Sequence, residues 1–301
     1  MLRPMASLFW RRFLLPMCLL VISCGPKGGL DPLGPATVLQ EIPVGRSKWS
    51  IALHTPPHDS LGSIRALVIV LHGYSGNGPR MEHESGFSRM ADSLGFVVAY
   101  PNGNRDVHFR RHWSEGDTVF FRVLIDTLVR RYALDPRRVY VTGYSNGGTA
   151  AYRIATVLSD RVAAIGVVSG TLGREGPDGR DEGGETPPRP VPAIIFHGLE
   201  DRTISFDRSR LAGRVTNIVS PPRSVALWAR ANGCNGSPVT DTLPGGEAIR
   251  SEFSSCALGG EVTFYTLIYG GHDWPDVHRA GAHIPGSALM WDFFVRHPRG
   301  G

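Results

Sequence analysis

Three residues stand in an order that can do chemistry: Ser145, then Asp201, then His272. Ser145 lies in a Gly-x-Ser-x-Gly pattern, Gly143-Tyr144-Ser145-Asn146-Gly147, which follows the β-branched run Val139-Tyr140-Val141-Thr142 and precedes an Ala-rich helical pattern. Strand, glycine-flanked serine and helix in that order describe a nucleophile elbow, a strained turn that lifts the hydroxyl above a sheet. The flanking glycines serve because side chains there would collide with backbone, and because the turn uses costly φ values. A serine hydroxyl is a poor nucleophile at neutral pH; it needs a general base, and that base needs a carboxylate to orient it. Asp201 follows the apolar run Ala193 to Phe196 in His197-Gly198-Leu199-Glu200-Asp201, and His272 follows Val262 to Tyr269 in Gly270-Gly271-His272-Asp273-Trp274-Pro275. Both therefore fall beyond strand ends, in the chain order serine, acid, histidine.

Other residues compete for each role. His72 and His197 also close strands, but each precedes a glycine and lies before the acid, so they are read as fixing loop backbone by hydrogen bonds. A zinc site of His72, His197 and His272 lacks a helical His-x-x-x-His pair and leaves Ser145 without a purpose. Glu200 neighbours Asp201 on a tight turn and would point elsewhere, which leaves Asp207 as the better rival acid. The tetrahedral intermediate of acyl transfer carries an oxyanion that needs preorganised N–H donors. The Asn146 backbone, directly after the serine, supplies one; the loop His72-Gly73-Tyr74-Ser75 supplies the other, through Tyr74 or, alternatively, Ser75.

The elements that would position these residues alternate. Val38 to Ile42 and Trp49 to Leu53 read as opening strands, Ala66 to Leu71 as a buried central strand, and Met81 to Leu94 as a helix. Phe96 to Tyr100 reads as a strand, and Asp117 caps a helix to Tyr132. Beyond the elbow come a strand over Val162 to Val168, one over Ala193 to Phe196, a helix over Pro222 to Ala231, the last strand and a helix over Ser287 to Val295. Gly173 to Pro190, rich in Gly and Pro, interrupts the rhythm and reads as a surface excursion, either a flap or a loop. Strands buried on both faces and alternating with helices predict an α/β fold, a doubly wound and mostly parallel sheet in a single domain.

The chain has 301 residues, 42% hydrophobic and 20% charged, with a net charge of +5. Three of those positive charges, Arg3, Arg11 and Arg12, lie in an N-terminal leader. The remaining charge is mild and no basic stripe is interleaved with aromatics, which argues against a nucleic-acid partner. Arg11 and Arg12 precede a short apolar run, Phe13 to Ile22, too short to span a bilayer and suited to a signal peptide over residues 1–23. Its end, Val21-Ile22-Ser23-Cys24-Gly25, resembles a bacterial lipobox, so Cys24 is expected to be lipidated and 24–35 to be a tether to a membrane, ahead of a catalytic domain over 36–298. Plain secretory cleavage is the alternative; either way the protein is exported. Cys234 and Cys256 then form an even pair in an oxidising compartment, where a disulfide is expected.

Leu71-His72-Gly73-Tyr74-Ser75-Gly76-Asn77, Gly143-Tyr144-Ser145-Asn146-Gly147-Gly148, His197-Gly198-Leu199-Glu200-Asp201 and Gly271-His272-Asp273-Trp274-Pro275 appear in sequence. Together they resemble the family of α/β-hydrolases that groups extracellular polyhydroxybutyrate depolymerases, feruloyl esterases and related lipoprotein esterases, across about residues 38 to 297. The Asn-Gly-Cys at 232–234, with Cys256, is similar to that family's disulfide. The resemblance implies hydrolysis of carboxylic esters through an acyl-enzyme, with no metal or organic cofactor, on a small-molecule or polymeric ester. A serine peptidase of the same fold and a non-catalytic binding lipoprotein are the alternatives. Loops at this end of such a sheet line the pocket, so Trp113 and Trp274 are expected as flat walls that favour short or planar acyl groups.

Overall fold

The computed structural model describes residues 32–57, 65–173, 187–207, 210–212, 214–275 and 284–300. Ten strands form one sheet, in the spatial order Thr37–Val44, Ser47–His54, Val97–Pro101, Leu67–Leu71, Val139–Tyr144, Ala164–Val168, Ala193–Gly198, Val262–Leu267, Ala248–Phe253, Val239–Thr242. From Val97–Pro101 to Val262–Leu267 the neighbours are all parallel. The two strands at each edge pair antiparallel. The sheet is thus mixed and mostly parallel.

The apolar runs explain why it is covered on both faces. Leu67–Leu71 has no exposed residue, and its alternate side chains enter different layers. Leu67, Ile69 and Leu71 pack with Phe120, Leu124 and Leu128 of helix Thr118–Arg131, with Ile154 of helix Asn146–Val157 and with Trp228 of helix Pro221–Ala231. Val68 and Val70 pack on the other side with Met81, Phe87 and Ala91, and with Met290, Phe293 and Phe294 of helix Gly286–Arg296. Each fully buried side chain of this size contributes roughly 1.5–3 kcal/mol, so the two layers fix the sheet that carries the site.

Two expectations are revised. The helix read over Met81 to Leu94 is two helices, Gly78–Ser85 and Phe87–Leu94. Gly86 separates them at φ 66°, its N–H meeting Glu82 O at 3.2 Å. That left-handed turn is a glycine C-cap, and it ends one helix as it starts the next. The antiparallel hairpin Val239–Thr242 and Ala248–Phe253 went unread, because its outer strand is exposed throughout and offers no apolar face. Cys234 and Cys256 are joined in a disulfide. The leader, Cys24 and residues 174–186 of the Gly173 to Pro190 excursion lie outside the described residues.

Candidate active site

Ser145 sits between strand Val139–Tyr144 and helix Asn146–Val157, with φ 55° and ψ −117°. Such a conformation costs a non-glycine residue roughly 1–3 kcal/mol, and the surroundings hold it. The Ser145 N–H donates to Val168 O at 2.8 Å, and Ser145 O accepts from the Thr149 N–H at 3.0 Å. The neighbouring glycines are dictated by contact rather than by torsion. A Cβ on Gly143 would lie 2.4 Å from Gly147 O, and one on Gly147 would lie 2.5 Å from Leu71 O and 2.7 Å from His72 O. The elbow is therefore pressed against the end of the adjacent strand, with the half-buried serine facing out.

His272 and Asp201 complete a line of hydrogen bonds. His272 Nε2 is 2.9 Å from Ser145 Oγ, and His272 Nδ1 is 2.7 Å from Asp201 Oδ2. The other oxygen, Asp201 Oδ1, accepts the Thr203 and Ile204 N–H groups, each at 2.8 Å. His197 Nε2 lies 2.9 Å from Ile204 O and 3.3 Å from Asp201 Oδ2. Burial opposes ionisation of this carboxyl, but the bonds and charges of His197 and His272 outweigh it, so Asp201 stays well below the usual carboxylate range. A fixed anion of this kind holds the imidazole with Nδ1 protonated, which leaves Nε2 free to accept the serine proton. Glu200 and Asp207, the rival acids, are exposed.

The loop after Leu67–Leu71 brings the second group of donors. Its Ser75 N–H is already engaged with Arg111 O at 2.8 Å. Among the described residues no acceptor within the chain meets the Tyr74 or Asn146 amide. A Cβ on Gly73 would lie 3.4 Å from Ser145 Cβ, so this loop passes directly beside the serine. His72 fixes it: Nδ1–H donates to Gly73 O at 2.7 Å and Nε2 accepts the Gly103 N–H at 3.0 Å. Both ring nitrogens are thereby occupied, which removes His72 from any zinc set. Burial, against the Gly73 carbonyl and with the Arg111 charge, pulls His72 down to about 4.

Trp113 and Trp274 do not form exposed pocket walls; each is only 3% exposed. An indole N–H must find an acceptor when buried, and both do so in the core. Trp113 Nε1 donates to His72 O at 2.8 Å, while Trp274 Nε1 donates to Ser287 Oγ at 2.9 Å. Trp113 instead supports the site from behind, since its backbone N–H donates to Asn146 Oδ1 at 2.7 Å. That role, and the contact of His197 with Asp201, were missed. The His197 to Asp201 spacing of four residues around a Gly-containing turn was the available signal. A cavity of about 220 Å³ lies along the loop His72 to Asn77 and is lined also by Arg80, Met81, Glu84 and Tyr144. A larger one of about 620 Å³, walled by Leu33, His54, Glu82 and Asp92, shares Arg80 and Glu84 with it.

Residues 49–177 match the family described as esterase PHB depolymerase. The chain is 29% identical over 268 residues to "Putative esterase NocK" of Nocardia uniformis subsp. tsuyamanensis, covering 79% of this chain and 74% of that protein. It is 27% identical over 237 residues to feruloyl esterase B of Piromyces equi, covering 75% of this chain but 41% of that longer protein. Among solved structures, acetyl xylan esterase from Aspergillus awamori superposes with a TM-score of 0.61 at 17% identity, covering 85% of this chain and 99% of that one. That likeness establishes the α/β-hydrolase fold.

Proposed function

We propose that this chain, whose residues 49–177 match the esterase PHB depolymerase family, is an exported serine carboxylic ester hydrolase working through an acyl-enzyme. The observation that carries this reading is the line from Ser145 Oγ through the His272 ring to Asp201, 2.9 Å and 2.7 Å long. Ser145 Oγ attacks the ester carbonyl as its proton passes to His272 Nε2. The Asn146 and Tyr74 amides receive the oxyanion. As the C–O bond to the alcohol breaks, His272 returns the proton to the leaving oxygen. Water then attacks the acyl-serine, gives its proton to His272, and the acid departs as the proton goes back to Ser145. Asp201 holds the ring and stabilises the imidazolium in both halves.

The substrate class is short-chain or hydroxycinnamoyl esters, in keeping with a relative named feruloyl esterase B. Export, and anchoring to a membrane through acylated Cys24, rest on the leader sequence. Comparing kcat/KM for p-nitrophenyl acetate, butyrate and laurate with methyl ferulate tests the substrate reading. A maximum at laurate, or clearing of polyhydroxybutyrate film without turnover of the small esters, contradicts it. Palmitate labelling in a bacterial host tests Cys24, and a soluble product starting elsewhere contradicts the anchor.

A further inference from the structure

We infer that Tyr144 is a positioning residue, whose hydroxyl holds the backbone of His272 in register with Ser145. The inference rests on the proposed hydrolytic role of that pair. Tyr144 is the last residue of strand Val139–Tyr144, so its backbone is fixed by the sheet at Val168. His272, in contrast, belongs to no regular element; it follows Gly270 and Gly271 in the turn beyond Val262–Leu267. The Tyr144 hydroxyl donates to the His272 backbone carbonyl at 2.5 Å. Its ring centroid lies 5.1 Å from that of His272. The same ring also meets the loop that holds Tyr74, for a Cβ on Gly73 would come within 2.9 Å of Tyr144 Cδ1.

One side chain thus touches both the loop of Gly73 and the turn of His272. Its bond to a carbonyl, rather than to the imidazole, leaves both His272 ring nitrogens to Asp201 and Ser145. Burial, and secondarily the charges of Asp273 and Asp201, push the phenol upward, so it remains a donor wherever His272 can act as a base. Glu200 N–H also holds this turn, donating to Gly270 O at 2.9 Å, two residues before His272. Without the Tyr144 hydroxyl, the ring would keep its packing but the His272 carbonyl would lose its fixed donor. Small displacements of a catalytic base reduce turnover far more than they reduce binding.

The test compares wild type, Tyr144→Phe and Tyr144→Leu by steady-state kinetics on p-nitrophenyl acetate and by the far-downfield proton resonance of His272 Nδ1–H. Asp201→Asn identifies that resonance by abolishing it. Tyr144→Phe is expected to lower kcat by about tenfold with KM changed less than about twofold, and to broaden the resonance. Tyr144→Leu, which also removes the ring, is expected to lose on the order of a hundredfold. Wild-type kcat and a sharp resonance in Tyr144→Phe overturn the inference. So does a loss confined to Tyr144→Leu, which would assign the effect to ring packing. If wild type turns over no ester yet Tyr144→Phe still broadens the resonance, the positioning role stands and the esterase reading falls.

Discussion

Replacing Asp201 by Asn isolates what the acid does, because the two oxygens of this carboxylate have different tasks. Oδ1 takes two backbone N–H donors, from Thr203 and Ile204 at 2.8 Å. An asparagine must keep its carbonyl oxygen there, since the flipped amide would set NH₂ against both donors. Its NH₂ group then occupies the place of Oδ2, 2.7 Å from His272 Nδ1. A donor at that place forces Nδ1 to accept, which puts the ring proton on Nε2, facing Ser145. The ring in that tautomer cannot receive the serine proton. The expected loss in kcat is about 10⁴-fold, or about 5.5 kcal/mol of transition-state stabilisation. Stability should fall less than in an alanine variant, because both backbone donors stay bonded and only the charge facing His197 and His272 is lost. Asp201→Ala provides the contrast: it leaves the buried Ile204 N–H unpartnered, at roughly 1–3 kcal/mol, and the half-buried Thr203 N–H with it. Initial rates on p-nitrophenyl acetate and urea unfolding of the three proteins provide both quantities. An Asn variant within tenfold of wild type, or one as unstable as the Ala variant, refutes the reasoning.

Further outcomes follow from single contacts. His72, held near 4 against an ordinary 6.5, refuses in the folded state a proton that the unfolded chain binds. Stability should therefore fall as pH drops from 6.5 to 4, by roughly 3 kcal/mol from this group; urea unfolding across that window should show a flatter slope in His72→Gln, and an equal slope contradicts it. Gly147→Ala drives a Cβ into two backbone oxygens and should cost about 1–3 kcal/mol and most of the activity, whereas unchanged melting and turnover would show the elbow to be looser than described. Reducing the Cys234–Cys256 bond, which closes a 22-residue separation, should lower stability by about 3 kcal/mol with kcat retained in the still-folded protein, as measured by melting with and without reductant.

What could be read from the sequence was what the backbone pattern carries. The elbow was legible because Gly143 and Gly147 are demanded by contacts under 3 Å with neighbouring backbone, and such contacts tolerate no other residue. The central strands were legible because burial on both faces leaves unbroken apolar runs such as Leu67–Leu71. Side-chain direction was not. Trp113 and Trp274 follow strands at the right end of the sheet, yet their N–H groups turn inward to His72 O and Ser287 Oγ. Position along the chain fixes which end of the sheet a residue reaches, and leaves open whether it faces the cleft or the core. Gly86 shows the same gap at the level of helices, since only a φ of 66° distinguishes a cap from an interior glycine. The bond from Tyr144 to His272 crosses 128 residues, and nothing local announces it.

The central claim is that Ser145 is the nucleophile, and one paired measurement addresses it. Wild type and Ser145→Ala are assayed on p-nitrophenyl acetate, and both are treated with a serine-directed phosphonate, digested and weighed by mass spectrometry. Wild type should hydrolyse the ester and carry a single adduct on the peptide containing Ser145. Ser145→Ala should melt at nearly the same temperature, carry no adduct and lose on the order of 10⁴-fold or more in kcat. An adduct on another serine, or a Ser145→Ala variant retaining more than about a tenth of wild-type turnover, far above the residual rate left when a triad nucleophile is removed, would contradict it.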